Sequence, residues 1–142
     1  MGIVFEPITS RVLTEGKLVE VTTISDLWKQ STGQPMVMIA VSAHTEWLNA
    51  HRSEAKRLTQ AILDTLRYIK TQPGKAIRNN RQKLGAKTEA ALALLLKRMP
   101  KIFPTEWNEP IIKNLQLQVE KAVEFGLLKK MPGGELFVNY LK

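Results

Sequence analysis

The chain contains no cysteine, which excludes a disulfide framework, a thiol nucleophile and any cysteine metal site. Histidine is nearly as scarce: His44 and His51 are the only two in 142 residues, too few to found a transition-metal centre on their own. Aromatic residues make up only 6%, and Tyr68 is the single one between residues 52 and 101. No stretch approaches the roughly eighteen consecutive apolar residues that a membrane-spanning helix requires. Met1 to Pro7 has neither a basic region nor a long apolar run, so it does not read as a secretory signal. Glu6 stands where a myristoylation signal needs Ser or Thr. A phosphate loop, a dinucleotide fingerprint and a nucleophile elbow are all missing.

What remains has the balance of a folded chain, 44% apolar and 24% charged, with the length of one ordinary domain. The net charge is +8 and it is concentrated. Residues 52–101 hold thirteen Lys and Arg against three Asp and Glu, while the rest of the chain holds eight against ten. A basic centre of this kind can face phosphates. It is equally the pattern of amphipathic helices with Lys and Arg on their solvated faces. No zinc-finger, RNP or zipper pattern and no interleaved aromatics accompany it, so the solvated-face reading is preferred and nucleic acid is not the favoured partner.

Local signals order the chain into short elements. Glu6-Pro7 opens a helix that Gly16 ends. Lys17 to Thr22 alternates, with Leu18, Val19 and Val21 apolar, and reads as a short strand. Ser25-Asp26-Leu27-Trp28 reads as one capped helical turn. Pro35 to Ser42 is nearly continuous in apolar residues, as in a strand buried on both faces. Such a strand needs neighbours, and few are on offer. From Ala43 the chain is helical: His44 to His51, then a longer helix capped by Ser53 with Leu58, Ile62, Leu66 and Ile69 along one face. After Gln72-Pro73-Gly74, a basic helix spans Lys75 to Leu84. Thr88 to Arg98 contains seven successive apolar residues, Ala90 to Leu96, and reads as a buried helix. Met99-Pro100 and Phe103-Pro104 suggest an extended linker. A last helix runs from about Asn108 to Phe125 and stops at Gly126, before a tail, 127–142, with a turn at Pro132-Gly133-Gly134.

The chemistry on offer is thin. Ser42, His44 and Asp64 form a catalytic triad only on paper, since nothing in their spacing supplies the geometry. His44 and His51 lie about two helical turns apart, a spacing that allows one shared face, and with Glu46 they fall well short of a zinc motif and fit surface histidines better. Neither a catalytic residue nor a metal ligand is assigned, no cofactor is implied, and the chain is not read as an enzyme. Trp28, Trp47 and Trp107 fit helix docking better than ligand stacking. Phe5-Glu6-Pro7 is more specific. A carboxylate at a helix start either caps its own helix or projects to a cationic or hydroxylated ligand from a junction of the kind where open α/β sheets bind solutes.

In order, these features resemble the C-terminal part of solute-binding proteins of ATP-driven importers, in the nitrate/sulfonate/taurine and thiamine-precursor branch. Val4-Phe5-Glu6-Pro7 followed by Leu13-Thr14-Glu15-Gly16-Lys17 is similar to that family's D-a-x-x-x-E-P segment and its Gly-Lys exit. Gly33-Gln34-Pro35 and Val37 to Val41 resemble the segment that crosses back to the first lobe. Ala43 to Glu54, with Trp47-Leu48 and His51, resembles the family's following helix start, although Arg52 stands where the family usually has Pro. Arg57 to Ile69 with Tyr68 at the aromatic position, then Gln72-Pro73-Gly74-Lys75-Ala76, and Val123-Glu124-Phe125-Gly126-Leu127-Leu128 complete the series.

The resemblance implies a periplasmic-binding-protein-like α/β lobe, incomplete and mostly helical here, with a few strands and about five to six helices. It places the end of the second lobe and the hinge return in 1–34, and the helical part of the first lobe in 35–142. It implies a non-catalytic receptor for a small solute, with Glu6 as a ligand contact and Phe5 beside it. The further implied partner is an importer permease, and the location of the full-length receptor is periplasmic or extracytoplasmic. A missing N-terminal half, carrying the export signal and most strands, is also implied. An apolar strand short of partners invites self-association. The alternative function is nucleic-acid binding through 52–101.

Overall fold

The structure, a computed structural model, describes residues 2–34, 36–133 and 136–137. Among these residues there are seven helices in chain order: α1 (Ile8–Thr14), α2 (Ile24–Thr32), α3 (Thr45–Ala50), α4 (Arg52–Thr71), α5 (Pro73–Asn79), α6 (Glu89–Ile102) and α7 (Glu109–Glu124).

The helix ends follow from local chemistry. Thr23 starts α2: its Oγ1 accepts from the Asp26 N–H at 3.0 Å, and its hydroxyl donates to the Asp26 carboxylate at 2.7 Å. Thr88 and Asn108 do the same for α6 and α7, accepting from the Ala91 and Ile111 N–H groups. Pro73 sits in the first turn of α5, where its missing N–H has no intrahelical acceptor to lose. Gly33, at φ +74°, closes α2 in the left-handed region that a side chain disfavours, and its N–H donates to the Lys29 carbonyl. Gly126, at φ +72°, follows α7 in the same way.

By internal contacts the chain forms two compact units. The first comprises Met1–Val21 and Ile62–Thr105. Its core is Ile77, Ala86, Ala91, Leu92 and Leu95, with Leu84, Leu96 and Met99 packed against them. Both α5 and α1 pack on α6, so the apolar run Ala90 to Leu96 is the centre of this unit. The second comprises Thr22–Ala61 and Glu106–Lys142, with Ala55, Ile112 and Leu115 buried.

The expected α/β architecture is overturned: the described residues form helices and no strand, so there is no sheet and no partial α/β lobe. Lys17 to Thr22 and Met36 to Ser42 have the side-chain pattern of strands, but a strand exists only when a neighbour shares its ladder. The first run, to Val21, belongs to one unit and the second to the other, and among the described residues neither forms a ladder with another strand. Pro35, at the head of the second run, lies outside the described residues. So do Gly134 of the expected turn and residues 138–142 of the tail.

Other boundaries move for identifiable reasons. The cap of α2 is Thr23 rather than Ser25, which lengthens the expected single turn to nine residues. Ser53 lies inside α4 and donates to Glu54 instead of capping the helix. The basic helix ends at Asn79, because Arg81 Nε donates to the Ala86 carbonyl at 2.8 Å and holds residues 80–86 as a compact turn. α6 continues through Met99-Pro100 to Ile102 instead of ending at Arg98 before an extended linker. Pro100 sits in the final turn, where its missing N–H forfeits one hydrogen bond near a fraying end, and Met99 gains contact with the core.

Ser10 on α1 is fully buried, and its Oγ has no hydrogen-bond partner. A desolvated hydroxyl without a partner opposes folding. Ser10→Ala is therefore expected to stabilise the chain by about 1 kcal/mol in urea denaturation. A loss of stability would mean that the hydroxyl is satisfied in solution.

Candidate functional site

The start of α1 is where the expected ligand contacts fall. Phe5 supplies the carbonyl that accepts from the Thr9 N–H at 3.0 Å, and the residue is 57% exposed. Glu6 is by contrast nearly enclosed, with a side chain only 5% exposed. Its Oε2 accepts from the Ser10 N–H at 3.2 Å, and its Oε1 accepts from Arg98 Nε at 2.5 Å. Both carboxylate oxygens are thus engaged by protein groups. The capping alternative for Glu6 is present in the structure, with a buried ion pair added to it.

Arg98 has a second carboxylate. Its Nη1 and Nη2 donate to the two oxygens of Glu20 at 2.7 and 2.8 Å, a bidentate fork. The Glu20 pairing holds the guanidinium well above its ordinary range, burial pulls the other way, and Glu6 adds to the rise. The sign follows directly: a cation with a raised pKa stabilises the fold at all pH values below its ordinary one, so Arg98 stays charged throughout the working range. Two carboxylates and one guanidinium leave the cluster with a formal charge of −1.

Sequence reasoning did not single out Arg98 or Glu20. The signal for Arg98 was present: it shares the helical stripe of Ala91 and Leu95, so a charge there points at the core and needs a partner. Nothing in the sequence points to Glu20, which lies 78 residues away in an irregular run. Asn114 was missed in the same way. It is buried on the Ile111–Leu115 stripe of α7, and its Oδ1 accepts from Trp28 Nε1 at 2.9 Å. Trp28 is thereby a docking residue, tying α2 to α7.

The remaining candidates separate. His51 stacks on Trp47 with ring centroids 5.0 Å apart, and its Nδ1 lies 3.0 Å from the Trp47 carbonyl. His44 precedes α3 as its N-cap residue, and Glu46 lies in the first turn. No group of three His, Asp or Glu able to hold a metal exists among the described residues. Asp64 is engaged by Arg67 at 2.8 Å, and Ser42 is exposed. Glu54 is held below its ordinary carboxylate range chiefly by the Ser53 hydroxyl, with Arg57 contributing.

The basic region divides by pairing. Arg57, Arg67, Arg81 and Arg98 each bond a carboxylate, at Glu54, Asp64, Glu89 and Glu6 with Glu20 respectively. Lys75, Arg78, Lys83 and Lys87 have no carboxylate partner among the described residues, and all four are exposed on α5 and the turn that follows it.

Compared with known proteins, the chain matches no protein-family model, no curated protein and no solved structure.

The Arg98 cluster is testable without a ligand. Arg98→Met strands the buried Glu6 carboxylate and leaves Glu20 uncompensated, at an expected cost of about 3–5 kcal/mol. Glu20→Gln, at the solvated side of the fork, should cost under about 1 kcal/mol. Equal losses for the two variants in chemical denaturation would show that Glu6 is not the buried member.

Proposed function

We propose that the chain is part of the substrate-binding component of an ATP-driven importer, a non-catalytic receptor for a small solute. The observation that carries this reading is the agreement between helix ends and the residues of the resemblance. α1 begins just after Phe5-Glu6-Pro7 and ends before Gly16, α5 begins at Pro73, and α7 ends just before Phe125-Gly126. In this reading Phe5 offers an exposed ring at the mouth of the site. Glu6 acts through the Arg98 cluster, whose formal charge of −1 favours an amine-bearing or pyrimidine-like solute over a sulfonate or nitrate. The permease and the periplasmic or extracytoplasmic location belong to the same proposal, as does a longer receptor of which this chain is the C-terminal part.

One observation favours a second reading. The unpaired cations Lys75, Arg78, Lys83 and Lys87 fall within thirteen residues, a spacing suited to a phosphate backbone. Nucleic-acid binding there predicts affinity that falls steeply with salt as counterions are released.

Thermal melting of the full chain with an aminopyrimidine, taurine, nitrate or a DNA duplex separates the two. Receptor function predicts a saturable rise in Tm with the aminopyrimidine, equivalent to about 2.7 kcal/mol at a hundredfold excess over Kd. That rise should be little changed between about 50 and 200 mM salt. Stabilisation by DNA alone, lost at the higher salt, contradicts it and supports the second reading.

A further inference from the structure

The first unit carries twelve Lys and Arg against five Asp and Glu, and no acidic residue falls between Asp64 and Glu89. Lys75 and Arg78 lie about one turn apart on α5, both exposed, while Ile77 between them in sequence is buried in the core. Lys83 and Lys87 follow on the compact turn, on either side of Gly85. The fold adds a fifth cation that sequence order does not. Arg11, exposed on α1, brings its guanidinium to 4.0 Å from where a side-chain carbon on Gly85 would stand. None of these five cations bonds a carboxylate among the described residues. Arg81 is instead consumed by the turn: Nε donates to the Ala86 carbonyl at 2.8 Å, Nη2 to the Lys87 carbonyl at 3.3 Å, and Nη1 to Glu89.

Charge of one sign on an ordered turn, without exposed apolar neighbours, narrows what the surface fits. Docking to a lipid surface couples basic residues to apolar side chains that enter the acyl boundary. Here Ile77 and Ala86 are buried and Leu84 packs against the core, so nothing apolar is left to insert. The centre of a protein interface concentrates aromatic residues and is depleted in lysine. Neither α1 nor residues 73–88 contain an aromatic residue, and three of the five cations are lysines. The same absence removes the stacking on which binding of single-stranded nucleic acid depends. A dense row of phosphates remains, and a duplex carries one charge per about 1.7 Å of its axis.

We infer that Arg11, Lys75, Arg78, Lys83 and Lys87 form a docking surface for the phosphate backbone of double-stranded nucleic acid, bound without sequence preference. The inference rests on the nucleic-acid reading of the basic segment and not on the solute reading. It adds to that reading a residue from outside the segment, Arg11, and a preference for duplex over single strand. Contacts to phosphate oxygens fix position and carry no sequence information, and no side chain of the surface supplies a stacking platform for bases.

Fluorescence anisotropy of the full chain tests it, with a labelled DNA duplex of about 20 base pairs, one of its strands alone, and a duplex of unrelated sequence. Five phosphate contacts predict a slope of log affinity against log salt of about −4.5, a loss of about 500-fold between about 50 and 200 mM. The duplex should bind about tenfold more tightly than the strand, because each contact releases more counterion, and the two duplexes should bind alike. Arg11→Gln should flatten the slope by about 1, and Lys83→Gln with Lys87→Gln by about 2, with helical circular dichroism unchanged because all three residues are exposed. Lys29→Gln with Lys56→Gln, at exposed positions of the second unit, removes as much charge as the lysine pair and should leave the slope unchanged. A slope indifferent to Arg11, tighter binding to the single strand, or an equal effect of the Lys29 and Lys56 pair overturns the inference and leaves the broader nucleic-acid reading in place. Tighter binding to phosphatidylserine vesicles than to the duplex overturns it in favour of a membrane surface. No binding to any of the three nucleic acids at low salt removes both the inference and the reading on which it rests.

Discussion

Backbone that is neither helical nor paired must leave its hydrogen-bonding groups to water or to another molecule, and that constraint governs this protein. Helices satisfy their own backbone, and seven of them account for most of the described chain. Two runs rich in Val, Leu, Ile and Met do not, and their side chains stand largely in solvent: Leu18, Val19 and Val21 in one, Met38, Ile39 and Val41 in the other. Apolar side chains and open backbone on the same segment are the combination that natural sheets avoid at their edges.

The first run is held in place by charge. Arg98 lies in the C-terminal half of α6, which buries Ala91, Leu92 and Leu95 and packs against α1 and α5, and it takes Glu6 from the start of α1 and Glu20 from the run itself. One guanidinium thereby fixes two irregular segments to the core of the first unit. The arrangement satisfies a glutamate side chain almost fully removed from water, with a guanidinium N–H on one oxygen and a backbone N–H on the other. It also gives the start of α1 an excess of negative formal charge close in sequence to an exposed Phe5.

Helix starts and stops were legible because each rests on one or two residues acting locally. Asn108 and Thr88 before an apolar run, and Gly33 and Gly126 after a helix, carry their meaning within four residues, whereas Pro73 reads as a break before Lys75 and in the structure opens α5. The strands at Lys17 to Thr22 and at Pro35 to Ser42 were misjudged because strand character is a property of pairs. Alternation and an apolar run record only that a segment would suit a sheet, and here no neighbour completes one. Met99-Pro100 misled in the opposite sense, since proline in a last turn costs little when the preceding side chain reaches the core. Of the site, Glu6 and Phe5 were visible at the opening of α1. Glu20 was not, because ion pairs across 78 and 92 residues leave no trace in local order. Arg98 and Asn114 lay on apolar stripes where a polar residue signals a buried partner, and that signal could have been read.

Amide hydrogen exchange on the dilute monomeric chain addresses the central claim most directly, since it reads hydrogen bonding residue by residue. The account predicts that Met38, Ile39, Ala40 and Val41 exchange at nearly the rate of an unfolded chain, while Ala91, Leu92 and Leu95 at the centre of α6 are the slowest. Protection at residues 38–41 comparable to that of α6 would mean that the segment is already paired within one chain, and would contradict the account.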